Sequence, residues 1–279
     1  MPHLWITIEI WLDLWITDCP SCRRPVSAAI VYSVVMAFTF PPAALAWLLD
    51  GCGRSVLVLA DSLVLPRGLV SQGFQVVAVH EDIAKLREAV GTMGLGVAVA
   101  RAETLPFEDC CFDAVFVHQI FPELSRLALP EMARVLKPGG RLLISHLGRD
   151  DSVPWVRRLA ALMRSLDPTA MTSPDVEAAL AGVQASDLFQ QAQTRDFRHW
   201  EPISRDTMIA MVAATPAVSG LDEARRQRFL DEAADIHDKA AGNKDLRLPY
   251  ELRCWRGVVD PAEPTNPVRK DPPAVVIPL

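Results

Sequence analysis

Two segments decide how this chain is read: Ala102-Glu103-Thr104-Leu105-Pro106-Phe107-Glu108-Asp109-Cys110-Cys111-Phe112-Asp113-Ala114-Val115-Phe116-Val117 and, further on, Ala133-Arg134-Val135-Leu136-Lys137-Pro138-Gly139-Gly140-Arg141-Leu142-Leu143-Ile144-Ser145. Phe112 to Val117 is an apolar run of strand length, Leu127 to Leu136 carries helical spacing, and Arg141 to Ser145 is a second apolar run. Between helix and strand, Lys137-Pro138-Gly139-Gly140 stops the one and turns tightly into the other. Phe107 and Phe112 flank the first strand and read as core anchors. The block therefore describes scaffold before it describes chemistry.

The same alternation extends upstream. Ala43 to Leu49 reads as a short helix, broken by Asp50-Gly51-Cys52-Gly53. Then come a strand (Ser55 to Ala60), a helix (Pro66 to Ser71), a strand (Gln75 to Val79), a helix (Ile83 to Val90) and a third strand (Gly96 to Ala100). Strands alternating with helices require right-handed crossovers and a parallel sheet covered on both faces. The expected fold is thus α/β: a doubly wound, mostly parallel seven-stranded sheet of Rossmann-like type. Beyond Val153 helices dominate, at Trp155 to Ser165, Pro174 to Ala181, Ser204 to Ala214 and Asp222 to Ala241. Two strand-like runs remain, Ala192 to Trp200 and Leu246 to Val258.

Three regions follow from these patterns. Residues 1–39 form an N-terminal extension in which every even position from Leu4 to Ile16 is aliphatic, while Trp5, Trp11 and Trp15 share the odd positions with Thr7, Glu9 and Asp13. Period two over that length is a strand signal, and so apolar a strand at an edge invites pairing with a protein partner or a second copy through residues 4–16. Residues 40–259 form the wound domain, with a helical cap within about 151–243. Residues 260–279 carry six prolines and read as an extended tail.

With 279 residues, half of them hydrophobic, the chain can bury one large core. Its net charge of −6, without long runs of Lys or Arg, lacks the footprint that phosphate backbones require, so nucleic acid is not an expected partner. The apolar N-terminus carries Glu9 and Asp13 and is too short to span a bilayer comfortably. Six cysteines without framework spacing point to a reducing, cytoplasmic setting. Cys19-Pro20-Ser21-Cys22 has no second pair to complete a zinc site, and Cys110-Cys111 reads as packing.

The blocks Ala102-Glu103-x-Leu105-Pro106-Phe107, Phe112-Asp113 and Arg134-Val135-Leu136-Lys137-Pro138-Gly139-Gly140 resemble class I S-adenosylmethionine (SAM) dependent methyltransferases of the type 11 group. So does the C-terminal order Leu188-Phe189, Trp200-Glu201-x-x-Ser204 and Leu248-Pro249-Tyr250, and the resemblance covers roughly Phe40 to Val258. It implies SAM as cofactor and a small-molecule substrate. It also places cofactor contacts at Ala60, Asp61, Ser62, His80, Glu81, Arg101, Ala102 and Glu103, with Gln119 and Glu123 lining the substrate side.

At several of the cofactor positions the chain departs from the family. The family's Gly-x-Gly-x-Gly turn after the first strand aligns with Ala60-Asp61-Ser62-Leu63-Val64, and Val58 stands where an acid precedes it. His80 replaces the acid that accepts the ribose hydroxyls after the second strand, with Glu81 one residue on. Arg101, which has only donors, stands where an acid faces the adenine amino group. His118 and His146 end the fourth and fifth strands and are the candidate general bases, since imidazole titrates near neutrality. The histidines lack further ligands for a metal.

Two functions stay open on the sequence. One is a SAM-dependent methyltransferase; the other is a non-catalytic relative, without cofactor, serving as a binding or regulatory partner.

Overall fold

Ser55–Ala60 (β1) alternates its burial between two layers: Leu57 and Leu59 enter one core, Val56, Val58 and Ala60 the other. Every side chain from Val56 to Ala60 is buried, which is what a central strand covered on both faces demands. In the computed structural model, which describes residues 40–87, 92–124, 126–171, 176–242 and 246–260, β1 is an interior strand of a seven-stranded sheet. The extension at residues 1–39, its alternating run at 4–16, the Cys19/Cys22 pair and the tail from residue 261 lie outside the described residues.

The remaining strands are Gln75–His80 (β2), Leu95–Val99 (β3), Phe112–His118 (β4), Leu136–Arg149 (β5), Phe189–Ile203 (β6) and Leu246–Val259 (β7). They lie in the order β3-β2-β1-β4-β5-β7-β6. The first five are parallel, whereas β7 runs antiparallel to β5, and β6 antiparallel to β7. The sheet is therefore mixed but mostly parallel, with the antiparallel pair at one end.

Helices Pro42–Leu49 (α1), Val64–Ser71 (α2) and Ile83–Arg87 (α3) cover one face, their buried residues Leu45, Leu48, Leu65, Leu69 and Leu86 meeting Val58, Ala78 and Phe116. Ala128–Val135 (α4) and Val176–Gln184 (α6) cover the other through Leu129, Met132, Leu180 and Val183. Pro154–Arg164 (α5), Arg205–Ala213 (α7), Pro216–Ser219 (α8) and Glu223–Ala241 (α9) gather around a third core of Val156, Leu159, Met208, Met211 and Ala233. Of the segment 151–243, α6 and β6 thus belong to the sheet, and the other helices form the separate apolar cluster.

Two details follow from local chemistry. Pro66 falls at the third position of α2 rather than the first, because Val64 and Leu65 already adopt helical geometry behind a Ser62 hydroxyl that accepts the Val64 N–H at 3.3 Å. The Lys137-Pro138-Gly139-Gly140 turn is continuous with β5, and its chirality rests on Gly139 at φ +77°. No helix among the described residues is long and apolar enough to cross a membrane.

Candidate functional site

Strand order reverses between β1 and β4, whose partners run in opposite directions across the sheet. In an open α/β sheet the crevice beyond the carboxyl ends of the strands at that reversal is where ligands bind. Ala60 and His118 are register partners there, with Asp61, His80, Glu81 and Gln119 just beyond neighbouring strand ends. Eleven of the twelve sequence-predicted positions lie at the last residues of β1, β2 and β4 or on the segments that follow β1 to β4, whereas His146, expected just after its strand, lies within β5 opposite Arg253.

Asp61 is the hub of the β1 and β2 ends. Its Oδ1 accepts from Lys85 Nζ at 2.6 Å and lies 3.2 Å from His80 Nε2. The backbone N–H of Asp82 donates to His80 Nδ1 at 2.8 Å, so Nδ1 is the acceptor of the ring and Nε2 carries the hydrogen toward Asp61. The His80 hydrogen bond, opposed by burial and reinforced by Lys85, lowers the Asp61 pKa to about 2. Lys85, four residues beyond Glu81 on α3, was not singled out from the sequence; nothing in linear order brings it to β1.

The turn from Ala60 to Val64 contains no residue with positive φ. Its backbone therefore needs no glycine for conformation, and the absent glycines bear only on how closely a ligand approaches. Ala60 directs its methyl into the core beside Val58 and Leu63, away from that approach. Glu81 follows the last residue of β2 in a bend, which frees it from the strand's alternation, and its side chain is mostly exposed. Arg101 lies between two acids, 3.4 Å from Glu103 and 3.8 Å from Glu81. Ala102 is buried against the sheet and pins this loop beside Leu105.

The loop's conformation is held from below by Arg134. Its guanidinium binds Glu131 through Nε and Nη2 at 2.9 and 2.8 Å, Asp109 at 2.8 Å, and the carbonyls of Phe107 and Leu105 at 2.8 and 3.0 Å. Glu131 in turn accepts the Leu105 N–H. At the opposite end of the sheet Asp113 accepts the Ser55 N–H and the Lys137 ammonium, and Gly53 leaves room for it. Both motif residues act on the scaffold.

On the β4 and β5 side the two histidines separate. His118 pairs in register with Ser145, not His146, and its Nδ1 lies 2.8 Å from the Ser145 hydroxyl. It follows Ala114 and Phe116 onto the face covered by α1, where the Phe40 ring meets it edge-on at 5.5 Å. His146 follows Ile144 onto the other face. Burial, with His146 adding a second depressing charge, lowers the His118 pKa to about 4; burial likewise lowers that of His146. His146 Nδ1 has no hydrogen-bond partner among the described residues.

Gln119 adopts φ +68° and folds its amide back on β5, accepting the Leu147 N–H at 2.9 Å and lying 3.5 Å from the Leu147 carbonyl. It thereby prolongs the β4–β5 ladder by one side-chain rung. Glu123 ends a short 3-10 turn at Phe121–Glu123.

Residues 51–144 match the family model for a methyltransferase domain. An uncharacterized methyltransferase of Mycobacterium tuberculosis is 31% identical over 233 residues, covering 79% of this chain and 90% of that protein. Among solved structures, a putative type II methyltransferase from Anaeromyxobacter dehalogenans superposes with a TM-score of 0.59 at 21% identity, over 78% of this chain and 96% of the other. A putative methyltransferase from an antibiotic biosynthesis pathway of Anabaena variabilis gives 0.55 at 15% identity, over 76% and 94%.

Proposed function

Because the chain belongs to the class I S-adenosylmethionine-dependent methyltransferase family, we propose that it binds SAM at the carboxyl ends of β1, β2 and β3 and methylates a small molecule held beyond β4 and β5. The observation that carries this reading is the row of carboxylates Asp61, Glu81 and Glu103, one beyond each of three neighbouring strands. Among the described residues the permanent cations paired with them are Lys85 and Arg101, two against three, so the rim stays acidic. An acidic rim suits a cofactor that carries a sulfonium and an ammonium, and carboxylate oxygens are the acceptors that ribose hydroxyls need. The residues present therefore fit the cofactor, although the acids stand at positions other than those of the family's pattern.

Bound SAM supplies an electrophilic methyl group on sulfur. The chain supplies position: holding the acceptor in line with that methyl converts a bimolecular reaction into a unimolecular one. If the acceptor is a hydroxyl or amine, a base must remove its proton. Both histidines are neutral at pH 7, but His118 already engages Ser145 and holds protons only below about pH 4. His146, which makes no such bond to a side-chain hydroxyl and sits beside the Gln119 backbone, is the better base.

The test is a calorimetric and thermal-shift titration with SAM. A ligand at a hundred times its dissociation constant stabilises by about 2.7 kcal/mol, so millimolar SAM without a shift would sink the reading and leave a non-catalytic role. With SAM bound, His146→Ala is expected to slow methyl transfer while leaving SAM affinity unchanged.

A further inference from the structure

The pattern of hydrogen bonds at the end of β2 excludes His80 from direct contact with a ligand. Nδ1 receives the Asp82 N–H and Nε2 is turned toward Asp61, so both ring nitrogens are committed within the protein. His80 stands where the resemblance places the ribose-binding acid, and what it does there is hold another acid. Both donors that reach Asp61, His80 and Lys85, converge on Oδ1. Oδ2 accepts no hydrogen bond among the described residues, and the side chain is 30% exposed.

On the reading that the crevice binds an adenosyl cofactor, we propose that Asp61, at the end of β1, is the ribose-binding acid of this chain, and that His80 and Lys85 are positioning residues that fix its carboxylate. The ligand group is selected by charge. Lys85 at 2.6 Å already offsets the Asp61 charge, so a second cation would meet the ammonium of Lys85 as well as the carboxylate. A neutral hydroxyl meets no such repulsion and donates to Oδ2. The ligand group at Asp61 is therefore the ribose diol rather than the ammonium or sulfonium. Glu81 is the competing acid, but its ion-pair partner Arg101 lies at 3.8 Å and its side chain is 58% exposed, so no close contact among the described residues holds it in one orientation. A fixed acceptor loses less freedom on binding than a mobile one.

The experiment measures binding of the full chain by calorimetry, using S-adenosylhomocysteine and its 2′-deoxy and 3′-deoxy counterparts. In the wild type, removing the hydroxyl that meets Asp61 should weaken binding by about 10- to 100-fold, the span of a charged hydrogen bond. In Asp61→Asn that factor should collapse to about 3-fold or less, because a neutral amide oxygen is the weaker acceptor. In His80→Ala it should fall part of the way, and in Glu81→Gln it should keep its wild-type value. A purely structural role for His80 would lower all three affinities together and leave their ratio unchanged. A full factor in Asp61→Asn, or a lost one in Glu81→Gln, overturns the assignment. Should Asp61→Asn not fold, His80→Ala decides: a factor that falls there supports the assignment, and an unchanged factor overturns it. Wild-type protein that binds neither SAM nor S-adenosylhomocysteine overturns the methyltransferase reading itself, a result distinct from the others.

Discussion

Replacing Arg134 by alanine tests whether the loop from Arg101 to Cys111 is held by one side chain. The guanidinium is only 11% exposed and touches Glu131, Asp109 and the carbonyls of Leu105 and Phe107. Its removal leaves the Glu131 carboxylate, 17% exposed, beside two carbonyls without their cation. Breaking a largely buried pair in this way costs about 3–5 kcal/mol, mostly through the charge left behind. For a domain of this size each kcal/mol lowers the midpoint by about 2–4 °C, so a fall of about 6–20 °C is expected. Urea unfolding followed by far-ultraviolet circular dichroism measures the loss directly. The double variant Glu131→Gln/Arg134→Met removes both charges, keeps an acceptor for the Leu105 N–H, and should lose less than the sum of the single changes. Hydrogen exchange should accelerate first at the amides of residues 103–111, and SAM affinity should drop because Glu103 rides on that loop. A loss below about 1 kcal/mol, or strict additivity in the double variant, would refute the reasoning.

Three further outcomes are expected. The unfolded chain protonates His118 near pH 6.5, but the fold resists until about 4, so the unfolded state binds more protons across that window. Stability should therefore decline by about 3 kcal/mol as pH falls from 6.5 to 4, and His118→Gln should flatten that decline in urea midpoints. Asp61 works in the next window: its pKa is lowered to about 2, so its contribution is full above the ordinary carboxylate value of 3.8 and is lost only as pH drops toward 2. Gly53→Ala would set a methyl 2.3 Å from Asp113 Cγ, and the displaced carboxylate loses Ser55, so calorimetry should record a loss of about 1–3 kcal/mol. At Gln119, with φ +68°, both Ala and Gly remove the bond to Leu147, but Gly relieves the backbone and should be more stable than Ala by about 1 kcal/mol.

Periodicity made the strands legible, since an apolar run such as Val56 to Ala60 can only be central in a sheet covered on both faces. It also made β7 legible, because Leu246 to Val258 alternates as an antiparallel strand does, whereas the edge strand β6 is exposed along most of its length. Register was not legible. His118 ends β4 and His146 lies in the adjacent β5, yet the pairing of His118 with Ser145 sends the two imidazoles to opposite faces. A shift of one residue decides that, and no local pattern near Ser145 records it. The Asp61 cluster was hidden for a related reason: His80 and Lys85 lie 19 and 24 residues away in sequence, and only the parallel pairing of β1 with β2 brings them together.

The missing glycines then take on a narrower meaning. Had the turn after β1 required positive φ, Ala60, Ser62 and Val64 would strain it, and the fold at the crevice would differ from its relatives. No residue there has positive φ, so side chains at these positions leave the turn unstrained. Side chains at this turn bring a carboxylate into the crevice from β1, and an imidazole at the end of β2 holds it. Asp61 stands between the positions of the family's glycines, so its carboxylate does not depend on their replacement, but an acid at residue 80 would repel it. On the proposed assignment His80 and Asp61 belong together: with Lys85, His80 holds the Asp61 carboxylate, and His80→Asp without removal of Asp61 should weaken cofactor binding, read by calorimetry, rather than repair it.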